Sequence, residues 1–136
     1  MKLTGHCYCG DFQFSIPSNV HVNRSVYCHC ESCRRAHSAP LYQVVYIDES
    51  DFEIIAGHDL VQEFCKSNCA RFFCKQCGSR LYNTLKHRPG WLGVFPALLS
   101  EDTQHNLPEN LKPSEHHLSV EAVLDLNLLH DNLTRA

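Results

Sequence analysis

At 136 residues, with a formal charge of −3 and 20% charged side chains, the chain is sized for one domain, long enough to bury a core and short enough to gain from a metal or covalent staple. Its basic residues are scattered, which excludes the electrostatic footprint of a dedicated nucleic-acid binder, and no apolar run approaches a membrane span. Neither nucleic acid nor membrane is therefore expected as a partner. The nine cysteines would suit a secreted disulfide scaffold, but Met1-Lys2-Leu3-Thr4-Gly5-His6 lacks the apolar run of a secretory leader, so a cytoplasmic setting is expected. In a reducing compartment cysteines at CxC and CxxC spacing read as metal ligands, and an odd total fits a complete disulfide scheme badly.

Phe12-Gln13-Phe14-Ser15-Ile16 alternates apolar and polar side chains, the period of a half-buried strand, and Pro17-Ser18-Asn19 ends it. Val20 to Tyr27 reads as a second strand that runs into Cys28, so a cysteine cluster falls where strand gives way to loop. Glu31 to His37 has room for a single helical turn before Pro40. Leu41 to Ile47 is β-branched and aromatic, Phe52 to Ile55 follows, and Gly57-His58-Asp59 supplies a turn before Leu60 to Phe64. This stretch predicts a hairpin or meander. Ala70 to Phe73 and Ser79 to Thr84 flank another cluster as strands, and Trp91 to Phe95 is a further apolar segment. Ser100 to Ser114, polar and holding Pro108 and Pro113, suits a surface loop rather than a core element. His117 to Leu124 resumes strand-like alternation, and the tail to Ala136 fits a short strand or a frayed helix. The expected fold class is mainly β, with loops that gather cysteines.

Those clusters are Cys7-Tyr8-Cys9, Cys28-His29-Cys30-Glu31-Ser32-Cys33 and Cys74-Lys75-Gln76-Cys77. Two cysteines two residues apart on a strand point to one face, and a CxxC pair can meet one metal across a tight turn. Gly78 follows that turn, at a position that often needs a positive φ. Cys7 and Cys9 with Cys74 and Cys77 thus supply the donors of a closed tetrahedral zinc site that ties the ends of a long loop. An iron–sulfur cluster takes the same donor set, so spacing alone leaves it open. Covalent haem attachment is excluded, because Arg34 and Gly78, not histidine, follow the CxxC pairs. A thioredoxin-like redox role would call for a βαβ setting that the β-rich pattern does not supply.

Cys28, Cys30 and Cys33 offer three thiolates, which leaves a coordination position free for water or a substrate sulfur. His29, between two ligands, should point away from the metal, as a supporting or solvent-facing group. Arg34 and Arg35 would offset the negative charge of such a centre and could hold a substrate carboxylate, although two arginines more often form a solvated surface pair. Cys65 and Cys69 stay unassigned thiols, with Cys69 a substitute ligand if the partition differs. His116 and His117 could line a pocket, but polar residues entering a strand explain them more simply, and neither is taken as a ligand.

Taken together, Gly5-His6-Cys7-Tyr8-Cys9-Gly10, Cys28-His29-Cys30-Glu31-Ser32-Cys33-Arg34 and Phe73-Cys74-Lys75-Gln76-Cys77-Gly78-Ser79-Arg80-Leu81-Tyr82 resemble the glutathione-dependent formaldehyde-activating enzyme (GFA) family, which includes the centromere protein V group. The resemblance runs from Thr4 to the Pro113-Ser114-Glu115-His116 region and beyond. It implies a single GFA-like zinc-binding domain over residues 1–136, with a β-tent fold of small antiparallel sheets clamped by zinc. It also implies two zinc ions per chain: a structural one on Cys7, Cys9, Cys74 and Cys77, and a catalytic one on Cys28, Cys30 and Cys33. The implied activity is that of a carbon–sulfur lyase, forming or cleaving S-hydroxymethylglutathione from formaldehyde and glutathione, with Arg34 or Arg35 on a glutathione carboxylate. One departure stands out: aliphatic residues fill Leu124 to Leu129, where family members often carry tryptophan after a P-x-x-H segment, so the thiol need not be glutathione. The alternative is a non-catalytic β-tent module for a protein partner, like the Rab-associated chaperones that share the fold. A methionine sulfoxide reductase on this fold would need a redox-active cysteine outside the zinc sites, for which only Cys65 and Cys69 are available.

Overall fold

The computed structural model describes residues 1–136. Strands β1 (Lys2–His6), β2 (Gln13–Pro17) and β3 (Val22–Cys28) come first, followed by helix α1 (Glu31–His37) and β4 (Tyr42–Asp48). Next are β5 (Glu53–Ala56), β6 (Val61–Lys66), β7 (Cys69–Cys74), β8 (Arg80–Leu85) and β9 (Trp91–Val94). Helix α2 (Glu101–His105), β10 (Glu115–His117) and β11 (Thr134–Arg135) complete the order. The architecture is mainly β, as expected. No helix is long and apolar enough to cross a membrane.

The strands form two sheets, a three-stranded one ordered β1-β2-β5 and an eight-stranded one ordered β11-β10-β3-β4-β9-β8-β7-β6. Most pairings are antiparallel, but β10 runs parallel to both β3 and β11. The hairpin or meander expected across residues 41–64 does not form. β4 pairs with β3 and β9, β5 leaves for the other sheet to pair with β2, and β6 pairs with β7. The physical reason is that Ile54, opposite Phe14, packs against the larger core, a burial that local pairing with β6 would forfeit.

That core lies between the sheets and contains Phe12, Phe14, Ile16, Ile47, Leu81, Val94 and Leu111. Full burial of side chains of this size contributes about 1.5–3 kcal/mol each relative to exposure. Phe14 stacks on Phe52 at 5.0 Å, Phe52 meets Tyr82 at 5.1 Å, and Tyr82 stacks on Phe72 at 4.6 Å, so aromatic contacts join β2 to the meander β6-β7-β8-β9. Close approach at Gly5 is obligatory, since a Cβ there would fall 2.5 Å from the Phe14 ring and 2.7 Å from the Leu98 carbonyl oxygen.

Two further expectations need correction. The Ser100–Ser114 stretch is not merely a surface connection: Ser100 caps α2, and Leu111, 1% exposed, enters the core while its carbonyl accepts from Ser25 Oγ at 2.8 Å. The strand read over His117 to Leu124 stops at His117, because Leu118 takes a left-handed φ of 54° that no extended strand can accommodate.

Candidate functional site

The first cysteine set sits at two turns, one from each sheet. The β1–β2 connection carries Cys7 and Cys9, while Cys74 ends β7 and Cys77 lies in the turn that leads to β8. Each turn closes in a similar way: Gly10 N–H donates to Cys7 O at 3.0 Å, and Gly78 N–H donates to Cys74 O at 2.7 Å. Both glycines hold positive φ, 83° and 81°, so the residue type read from the motif is the one the backbone demands. The sulfurs all lie within 4.8 Å of one another, with Cys7 to Cys9 at 3.4 Å and Cys9 to Cys74 at 4.0 Å. A tetrahedron of thiolates around zinc has sulfur–sulfur separations of about 3.8 Å, so this set fits such an ion closely. Phe12 N–H and the Gln76 amide donate to Cys7 and Cys9 at 3.4 and 3.2 Å, which supports thiolate charge.

Cys28, Cys30 and Cys33 form the second set, with their sulfurs also within 4.8 Å of one another. Cys28 ends β3, Cys33 lies in α1, and Cys30 caps that helix by accepting the Cys33 N–H at 3.3 Å. The expected single helical turn is thus a two-turn helix started by a candidate ligand, an N-cap that spacing alone did not announce. Both Cys28 and Cys33 are buried. Hydrogen bonds from Cys28 and Cys30 hold the Cys33 thiol far below its usual range, with further help from Tyr42 and Arg71, while the same sharing pushes Cys28 up. Negative charge in this set therefore falls on Cys33 rather than on Cys28.

The group that meets this charge is Arg71, from β7. Its Nη2 lies 3.6 Å from Cys33 Sγ, and Tyr42 Oη lies 3.4 Å from the same sulfur. The other terminal nitrogen of Arg71 is buried without a hydrogen-bond partner. His37 stacks on Tyr42 at 4.2 Å, and burial together with the Arg71 and Arg80 charges pushes its pKa down to about 4. It is neutral at pH 7. Arg80 is fixed by donating to the Ala36 carbonyl at 2.9 Å, so β7 and β8 press against α1 although they lie far from β3 in sheet order.

Between these elements lies a cavity of about 860 Å³. Arg35, Lys66, Arg71 and Arg80 give it a cationic lining, relieved by Glu63, with Phe64, Phe73 and Leu85 as apolar wall. Cys69, Arg71 and Phe73 alternate along β7 and all line the space, as the strand period requires. Arg35 lines it too, with its Nε on Glu31 at 3.1 Å in an exposed i,i+4 pair. Arg34 does not; its Nε donates to the His29 carbonyl at 3.1 Å and so props the cysteine loop. Sequence reasoning named neither Arg71 nor Tyr42. The available signal was the β7 alternation, which sets Arg71 on the face of Cys69 and Phe73.

His29 points away from the sulfurs, but into the interior rather than to solvent: it is 0% exposed and its Nε2 lies 2.8 Å from His116 Nδ1. His116 is a buried residue of β10, and His117 accompanies Arg24 at 2.9 Å. Cys65 is exposed on β6.

Comparison with curated proteins finds no match. Among solved structures, a crystal structure of a Rhodobacter sphaeroides protein from structural genomics has 21% sequence identity to this chain and a TM-score of 0.62, covering 78% of this chain and 95% of its own. At that identity the likeness concerns the fold. The family model described as glutathione-dependent formaldehyde-activating enzyme matches residues 2–120, a span that includes both cysteine sets and every strand from β1 to β10. With that model matching most of its length, the chain belongs to the glutathione-dependent formaldehyde-activating enzyme family.

Proposed function

We propose that the chain is a carbon–sulfur lyase-type enzyme that forms or cleaves the adduct of an anionic thiol, such as glutathione, with a small aldehyde such as formaldehyde. In this reading Cys7, Cys9, Cys74 and Cys77 hold a structural zinc, and Cys28, Cys30 and Cys33 hold a catalytic one, within a single domain spanning residues 1–136. Zinc bound there supplies a positive centre with an open position, which favours the deprotonated form of a substrate thiol near neutral pH.

The observation that carries this reading is the cationic cavity beside a three-sulfur set. Arg71 lies at the junction: one nitrogen offsets the thiolate charge at Cys33, while the other is a buried donor with nothing to donate to. Arg71 also lines the cavity, so its guanidinium charge acts on an anion held there as well as on Cys33. Arg35, Lys66 and Arg80 add positive charge where carboxylates of a thiol peptide would lie, and Phe64 and Phe73 cover its aliphatic part. In the forward reaction a bond forms between substrate sulfur and aldehyde carbon, and the thiol proton ends on the former carbonyl oxygen. Holding the two reactants together accounts for rate, since such additions are intrinsically facile.

The test is a metal count combined with a thiol panel. Two zinc ions per chain, of which only one responds to glutathione, with adduct formation or cleavage above the uncatalysed rate, are expected. One zinc and no acceleration with any carboxylate-bearing thiol would refute the enzyme and favour a binding module for a protein partner.

A further inference from the structure

The three-cysteine loop is held from outside by a part of the chain that follows the family-matched span. His116 Nε2 is 2.7 Å from Asp131 Oδ2, and His116 Nδ1 is 2.8 Å from His29 Nε2, which links Asp131 to His29 through one buried ring. A carboxylate only accepts, so the proton of the Asp131 contact sits on His116 Nε2, and His116 Nδ1 shares one proton with His29 Nε2. Asp131 is itself fixed by the Leu133 N–H at 3.0 Å and by Arg135 Nη1 at 2.6 Å. Arg135 in turn binds the Leu126 and Leu129 carbonyls, and the Ala136 N–H donates to His116 O, so the segment returns to β10 as one braced unit.

This unit reaches both neighbours of Cys30. His29 is held by its ring and by its N–H, which donates to the His117 carbonyl at 3.0 Å; Glu31 is held by its N–H on Glu121 Oε1 at 3.0 Å. The side chains of successive extended residues alternate, so a fixed inward direction for His29 sets an opposite direction for Cys28 and Cys30. His29 and His116 are 0% and 1% exposed, which leaves little rotational freedom to either ring.

We infer that Asp131, acting through His116 and His29, is a positioning residue that aims the Cys28 and Cys30 sulfurs at a common metal. The inference rests on the reading that this set binds a metal. Groups that orient ligands from behind typically change metal affinity by about 10–100-fold when removed.

The experiment uses the full chain with zinc and, separately, with cobalt, whose thiolate charge-transfer and d–d bands report ligand geometry at each site. Asp131→Ala is expected to weaken the three-cysteine site at least about tenfold in chelator competition and to alter its cobalt bands, with the four-cysteine site unchanged. Asp131→Asn, which keeps an acceptor oxygen, should retain more of the affinity. Glu121→Ala, which removes a half-buried side chain from the Glu31 N–H, supplies a second variant outside the histidine chain, and a smaller loss confined to the same site is expected. Wild-type affinity and spectrum in Asp131→Ala, or equal weakening of both sites, overturns the positioning role. If Asp131→Ala fails to fold, an unchanged three-cysteine site in both Asp131→Asn and Glu121→Ala overturns it. A wild-type chain that binds a single metal sinks the open-site reading, and this inference with it.

Discussion

The two cysteine sites use the same ligand and differ in what they join. The four-cysteine set draws on turns in different sheets, with Cys9 and Cys74 separated by 65 positions. The three-cysteine set gathers within Cys28 to Cys33, on one loop and the helix it starts. By chain-entropy bookkeeping for a cross-link, closing the longer loop is worth about 4 kcal/mol against about 2 for the shorter one. The first arrangement suits a clamp. The second contributes less to holding the chain, and its three sulfurs are one fewer than a closed tetrahedral site needs. The two sets thus differ both in the sequence distance they span and in the number of sulfurs they offer.

The largest expected effect comes from breaking the clamp. Cys74 is fully buried at the hinge of the β7–β8 turn, and apparent binding energies of structural zinc sites run to about 10–16 kcal/mol. Cys74→Ser should therefore abolish cooperative thermal unfolding as followed by circular dichroism. Cys30→Ser is expected to behave differently. Metal analysis should give one zinc per folded chain, and any acceleration of adduct chemistry should fall to background. If Cys30→Ser still binds two zinc ions, the assignment of ligands to sites is wrong.

That contrast also separates what could be read from the chain from what could not. The grouping of cysteines into two sets that could hold a metal was legible because each half lies within a few residues and glycines mark the turns: Gly10 and Gly78 stand where positive φ is required. Most strands were legible from alternation. Partners of those strands were not, since β5 crosses to the other sheet to bury Ile54, and no local signal distinguishes that from a hairpin with β6. Arg71 was missed for a related reason. It sits 38 positions from Cys33 and arrives there only because the sheet brings β7 against α1, a consequence of tertiary packing rather than of spacing. Likewise, the His29–His116 contact spans 87 positions, so His116, which reads as an ordinary polar residue entering a strand, proves to lie behind the cysteine loop.

Within the open site, Arg71→Gln is the next test of the contrast. It removes the guanidinium charge and the unpartnered donor but leaves the cysteines intact. Hydrogen bonds to charged groups contribute about 1.5–3 kcal/mol, which corresponds to a loss of about 10–150-fold in kcat/KM. Steady-state kinetics should show that loss while zinc content stays at two per chain. A loss of zinc instead would assign Arg71 to holding the metal centre together rather than to the substrate.

The smallest effect is expected at Arg35. Its side chain is 78% exposed and pairs with Glu31 at 61% exposure, an arrangement that contributes little to stability because water screens both charges. The melting temperature of Arg35→Ala should therefore match that of the parent chain. Since the residue still lines the cavity, long-range attraction for an anionic thiol should fall, raising KM a few-fold with kcat unchanged. Added salt discriminates the cause: the parent KM should rise with ionic strength, and the Arg35→Ala value should rise less. A KM that responds to salt equally in both proteins would leave carboxylate attraction to Lys66, Arg71 and Arg80, which line the same cavity.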